Sequence, residues 1–172
     1  MAEQRIIDYQ PATKAKRVQH VLTKEIKTSP EKIFPLACPV EELRWIPDWS
    51  YQLVYSVSGV NETNCIFTED KSGPVLFGKP LTTTWITSLH DPVANKIKFN
   101  LNVSGKVYIA FVFNIREVGL QISAVTWDLT FTGLDEEANA MKDEEINAKL
   151  GLITGFLSET LKHYCETGKM LS

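Results

Sequence analysis

The chain has 172 residues, 44% of them hydrophobic and 23% charged, and its 18 Lys and Arg against 21 Asp and Glu leave a net charge of −3. That length fits a single domain over residues 1–172 with a sizeable core and no need of covalent staples, and the ordinary composition excludes a disordered chain. The acidic excess argues against a nucleic-acid binder, which needs surplus cations to displace counterions.

Residues 1–15 are polar and aperiodic and read as a loose arm or an edge cover. A first strand is expected over Arg17–Lys27, with Val18, His20, Leu22 and Ile26 on one side. Thr28-Ser29-Pro30-Glu31 is a helix-start signature, because Pro suits the first helical position. Two short helices are expected, Glu31 to about Ala37 and Val40 to about Trp45, stopped by Pro39 and Pro47. Strands are expected at Tyr51–Ser58 and Asn64–Glu69. A turn at Asp70-Lys71-Ser72-Gly73-Pro74 and a Gly/Pro-punctuated stretch to Pro80 follow. Leu81–Leu89 and Lys96–Val103 alternate apolar and polar residues, the pattern of a strand with one dry face. Ser104-Gly105 reads as a turn into Lys106–Glu117, and Val118-Gly119 joins that strand to Leu120–Thr132. One long helix is expected from Asp135, a good N-cap, to about Thr167. Its apolar stripe is Ile146, Leu150, Ile153, Leu157, Leu161 and Tyr164, and Gly168 suits its end.

This order describes an α+β protein: antiparallel strands whose dry faces are covered by one long terminal helix. A curved sheet gripping a helix leaves space between them, and aromatic side chains from the sheet then line a pocket.

The first residues contain no apolar stretch of the kind that directs secretion, and no apolar run approaches ~18 residues. The expectation is a cytoplasmic protein without stable membrane insertion. Cys38, Cys65 and Cys165 are odd in number and form no CxxC or Cys/His cluster, so reduced thiols and no metal site are expected. Gly73-Pro74-Val75-Leu76-Phe77-Gly78 lacks the Lys-Ser/Thr ending of a phosphate loop, and no G-x-S-x-G is present. No cofactor is expected. The oligomeric state is left open.

Three passages resemble the SRPBCC superfamily, which holds START lipid-transfer domains, birch-pollen-allergen-like proteins and polyketide cyclase/dehydrase-like proteins. They are Ile26-Lys27-Thr28-Ser29-Pro30-Glu31-Lys32-Ile33-Phe34, the stretch Phe34–Trp49, and Trp85-Ile86-Thr87 with His90-Asp91-Pro92 ahead of the late helix. The stretch Phe34–Trp49 is similar to an F-P-L-x-C-P-V-x-E-x-x-W-I-x-x-W pattern of a bacterial subgroup without an agreed activity. The resemblance spans about residues 17–168. It implies a helix-grip fold: a curved antiparallel sheet of about seven strands around a long C-terminal helix, with two short helices after the first strand. It also implies an internal cavity.

On that fold, Tyr51, Tyr55, Thr83, Trp85, Thr87, Phe99, Leu101, Phe111, Phe113, Trp127, Leu129, Leu152 and Phe156 are the expected ligand-binding wall. Both parities of the strand bearing Phe111 and Phe113 are apolar, which leaves their facing open. Glu42, Arg44, Trp45 and Trp49 are placed at the cavity mouth, either as a gate that orients a polar head group or as a structural corner. His20 reads either as a cavity base or as a satisfied interior histidine. The function expected is binding of an apolar, aromatic or lipid-like small molecule. The alternative is a cyclase/dehydrase- or hydratase-like enzyme in which His20, Tyr55 or Glu42 moves protons.

Overall fold

The computed structural model describes residues 14–172, so most of the arm expected over residues 1–15 lies outside the described residues. Seven strands form one antiparallel sheet in the order β1-β7-β6-β5-β4-β3-β2. They are β1 (Arg17–Ile26), β2 (Gln52–Tyr55), β3 (Ile66–Ser72), β4 (Leu81–Asp91), β5 (Lys96–Val103), β6 (Val107–Gly119) and β7 (Ile122–Gly133). Register shifts interrupt the pairing at Leu53/Tyr55, Glu69/Ser72, Thr87/Leu89 and Glu117/Gly119, and such irregularities bend a sheet.

Alternation decides which side is dry. On β5, Ile97, Phe99, Leu101 and Val103 are buried while Lys98 and Asn102 are exposed. On β6, Val107, Ile109, Phe111, Phe113 and Ile115 are buried, so both phenylalanines face inward. On β7, Val125, Trp127, Leu129 and Phe131 continue the same face. A fully buried side chain of this size contributes roughly 1.5–3 kcal/mol, and these three strands supply about half of the core. Ser104 and Gly105, with φ of 47° and 72°, turn β5 into β6. Left-handed φ at both positions matches the right-handed twist of a hairpin.

The segment after β1 splits more finely than expected. α1 covers only Pro30–Ile33, and Phe34–Leu36 forms a 3-10 turn, because Pro35 has no N–H to continue an α-helix. α2 covers Pro39–Glu42, and the Glu42 carbonyl then accepts from the N–H groups of both Trp45 and Ile46. A further single turn, α3 (Pro74–Phe77), stands between Gly73 and Gly78, both at positive φ. The β6–β7 turn lies at Leu120-Gln121, past the expected Val118-Gly119.

The terminal helix is two helices. α4 (Glu136–Ala140) is capped by the Asp135 carboxylate, which accepts from the Ala138 N–H at 2.8 Å. Met141 and Lys142 are extended, and α5 (Asp143–Thr167) starts afresh. Asp143, Glu144 and Glu145 stabilise that new start against the helix dipole. The expected stripe is buried or half-buried on α5. α5 lies along β1, where His20 places Nδ1 2.9 Å from Asn147 Oδ1 and Nε2 3.1 Å from Thr154 Oγ1. None of the three cysteines is paired, and no helix among the described residues is long and apolar enough to cross a membrane.

Candidate functional site

Packing α5 against β1 at one side of the sheet holds it off β3, β4 and β5 at the other. A chamber of about 390 Å³ remains there. Its floor is the inward face of the sheet: Thr83 and Trp85 of β4, Phe99, Leu101 and Val103 of β5, Ile109, Phe111 and Phe113 of β6, and Trp127 and Leu129 of β7. The aromatic rings lock one another. Trp85 stacks on Phe67 at 5.3 Å and meets Phe99 edge-on at 5.5 Å, and Phe113 meets Trp127 edge-on at 5.5 Å. α5 supplies the roof through Leu152, Ile153, Phe156 and Leu157.

The lining residues that reach furthest into solvent are Lys71, Pro74 and Val75 on one side and Leu152 and Phe156 on the other. Leu152 is 66% exposed and Phe156 47%. The opening therefore lies between α3 and α5. Lys149 spans these two elements, donating from Nζ to the Leu76 carbonyl at 2.7 Å while pairing with Glu145.

The inner end is built by α2 and β3. Trp45 donates its Nε1–H to the Leu36 carbonyl at 3.0 Å, and Trp49 donates to the Pro39 carbonyl at 2.9 Å. These bonds fix both indoles as wall. Two carboxyls stand among the rings. Glu69 accepts from Trp85 Nε1 at 3.2 Å. Glu42 is half-buried and lines the chamber, and no hydrogen bond reaches its carboxyl among the described residues. Burial, with the charge of Glu69 adding to it, pushes Glu42 up to about 8. Burial pushes Glu69 up to about 7, partly offset by the Trp85 hydrogen bond. Two acids at one apolar end thus titrate near neutrality, the condition for exchanging protons at ordinary pH.

Of the residues singled out from the sequence, Thr83, Trp85, Phe99, Leu101, Phe111, Phe113, Trp127, Leu129, Leu152 and Phe156 line the chamber, as do Glu42, Trp45 and Trp49. Trp45 is only 3% exposed and belongs to the inner wall, away from the opening. The others lie elsewhere. Tyr51 packs behind the wall, stacked on Trp49 and edge-on to Phe67. Tyr55 sits exposed on edge strand β2. Thr87 is buried and donates to Asn61 Oδ1 at 2.6 Å. Arg44 points outward, paired with Glu41 at 2.7 Å and placed over the Tyr164 ring. His20 commits its ring to α5. Neither His20 nor Tyr55 is among the residues that line the chamber, and of the three candidates Glu42 is the one that does.

Glu69 is the residue the sequence reading passed over. Its signal was present: in Cys65-Ile66-Phe67-Thr68-Glu69 a carboxylate follows Cys65 and Phe67 on the apolar parity of a strand. Among the described residues no group of three or more His, Cys, Asp or Glu side chains is gathered closely enough to hold a metal ion.

No protein-family model matches the chain, and no curated protein is significantly similar to it in sequence. Solved structures do resemble it. A START superfamily protein from Mycobacterium smegmatis superposes with a TM-score of 0.67 at 14% identity, over 88% of this chain and 99% of that one. Norcoclaurine synthase from Thalictrum flavum, in complex with dopamine and hydroxybenzaldehyde, gives a TM-score of 0.65 at 11% identity, over 98% and 99%. The Zhui aromatase/cyclase from Streptomyces sp. R1128 gives 0.59 at 10% identity, over 88% and 94%. These likenesses establish the helix-grip fold. The fold serves proteins of different activities, so function has to be argued from the chamber.

Proposed function

We propose that the protein binds one apolar small molecule, aromatic or lipid-like, in the chamber beneath α5. The observation that carries this reading is an aromatic-walled space of about 390 Å³ with two carboxyls, Glu42 and Glu69, among its apolar lining. That size and makeup match ordinary small-molecule sites, where apolar walls supply affinity and a few polar groups fix orientation. Burial of ligand surface contributes about 25 cal/mol per Å² before the costs of association.

Titration with the neutral fluorophore N-phenyl-1-naphthylamine tests the reading. Saturable one-to-one binding is expected, checked by native mass spectrometry. Leu101→Trp, which fills the chamber from its floor, is expected to abolish it. Absence of saturable binding, or full binding by the filled variant, overturns the proposal.

The two carboxyls favour a second reading, an enzyme of the cyclase/dehydrase type in which Glu42 and Glu69 exchange protons with a bound substrate. A methyl ketone probe, 2-acetonaphthone in D2O, distinguishes it. Faster exchange of its methyl protons, lost in Glu42→Gln, supports catalysis. Exchange at the solvent rate leaves binding as the function.

A further inference from the structure

We infer that the ligand carries a cationic nitrogen: an aromatic or alkyl amine whose ammonium group sits between Glu42 and Glu69 while its apolar body fills the chamber. This rests on the chamber being a small-molecule site and names the chemical class it takes.

The polar groups around the inner end are otherwise committed. Thr83 hydrogen-bonds Ser72, and both Trp45 and Trp49 donate their N–H groups to backbone carbonyls. Trp85 donates to Glu69. What the inner end still offers is carboxyl oxygen and ring surface. Neither Glu42 nor Glu69 takes part in an ion pair among the described residues. The groups facing Glu42 supply no cation. Glu69 approaches from β3, Tyr51 from the segment before β2, and Cys38 and Cys65 stand behind Tyr51. Lys71, the one basic residue of the lining, is exposed at the opening.

Chemistry then separates the ligand classes. Two carboxylates near each other in a water-poor space do not both ionise without a counter-charge. An ammonium supplies that charge, and its N–H groups reach oxygens that the protein leaves without partners. Trp faces attract the same cation. A ligand carboxylate would bring a third negative charge to the same end. A neutral alcohol satisfies a lone pair but leaves the charge problem as it was.

The full chain, loaded with N-phenyl-1-naphthylamine, is titrated with three competitors of one shape: 2-(2-naphthyl)ethylamine, 2-(2-naphthyl)ethanol and 2-naphthylacetic acid. The amine is expected to displace the fluorophore at least about tenfold more tightly than the alcohol, and the acid least well. In Glu42→Gln and Glu69→Gln the amine's advantage over the alcohol, measured within each variant, should shrink to about threefold or less. In the unmodified protein the advantage should grow between about pH 6 and pH 8, as the acids ionise. An alcohol that matches the amine, an acid that beats it, or an advantage that survives both substitutions overturns the inference while leaving the small-molecule site standing. A chain that fails to bind the fluorophore removes both.

Discussion

Two polar side chains flank the same short segment, residues 37–42, and the fold treats them in opposite ways. Asn61 is buried, and both its amide nitrogen and its amide oxygen are hydrogen-bonded. Its amide donates to the Ala37 carbonyl at 3.0 Å, its oxygen accepts from Thr87 at 2.6 Å, and its backbone N–H meets Cys38 Sγ at 3.3 Å. Glu42, four residues from Cys38, is half-buried at the chamber wall, and no hydrogen bond reaches its carboxyl among the described residues. A polar group that only holds structure is closed off by its neighbours, because an unmet hydrogen bond in the interior is expensive. A carboxyl left open toward a cavity raises the free energy of the fold, and such groups concentrate where ligands are met.

The comparison breaks most easily at Asn61. Asn61→Ala strands the Thr87 hydroxyl and the Ala37 carbonyl, and each stranded group costs roughly 1–3 kcal/mol. A loss of about 3 kcal/mol is expected in urea unfolding. A loss below about 1 kcal/mol would mean that this cluster does not pin the segment and that the contrast with Glu42 is empty.

Glu42 should show the opposite behaviour, through pH. Its folded-state pKa is raised, so between its ordinary value near 4.5 and about 8 the folded chain holds a proton that the unfolded chain has released. Stability therefore falls as pH rises through that window and levels off above it. Glu69 adds a second fall that ends at about 7. Each pKa unit corresponds to ~1.4 kcal/mol, and water in the chamber takes back part of it, so the Glu42 contribution is on the order of 2 kcal/mol. Glu42→Gln should flatten the decline measured by unfolding from about pH 5 to pH 8 and match or exceed the parent's stability at the upper end. A parent curve that rises across the window contradicts a Glu42 carboxyl held without a counter-charge at the chamber wall.

How much of this was legible beforehand follows the physics of each signal. Alternation reports facing well when one side of a strand is wet, and Lys96–Val103 was read correctly for that reason. It reports poorly where both sides carry apolar residues, as on β6, whose facing needed the β5–β6 and β6–β7 registers to settle. Helix breaks came from extended backbone at Met141 and Lys142, residue types that ordinarily continue helices. Thr87 and Tyr51 have chemistry suited to a pocket, but their partners Asn61 and Trp49 are distant or irregular in sequence and drew them out of it. His20 was read on the right face, and the contacts that satisfy it come from α5, more than 120 residues away. Glu42 stands out in a short segment that mixes acids and Arg44 with Trp45 and Trp49, whereas finding Glu69 required only the parity of one strand.

At the opening, the contrast is between wall and rim. Phe156 lines the chamber yet is half exposed, so Phe156→Ala should cost less than about 1 kcal/mol of stability. Its effect should appear in exchange: stopped-flow dissociation of N-phenyl-1-naphthylamine several-fold faster than from the parent, on the order of 1 kcal/mol in the barrier. Unchanged dissociation would place the exit elsewhere than between α3 and α5.

The smallest effects separate two glycines on α5, one turn apart. An alanine Cβ at Gly155 meets nothing within 4 Å, whereas at Gly151 it lies 3.4 Å from His20 Cε1 and 3.8 Å from Nε2. Gly to Ala inside a helix gains up to ~1 kcal/mol from backbone entropy and propensity. Gly155→Ala has nothing to oppose that gain and should raise Tm by roughly 2–4 °C. At Gly151 the added methyl makes ordinary van der Waals contact with the imidazole that Asn147 and Thr154 hold in place, so a gain at least as large is expected there. Replacing His20 by Ala alongside Gly151→Ala removes that contact, and the glycine substitution should then gain no more than Gly155→Ala does. A Tm loss for Gly151→Ala would show that α5 and β1 pack too closely at His20 to admit a methyl group.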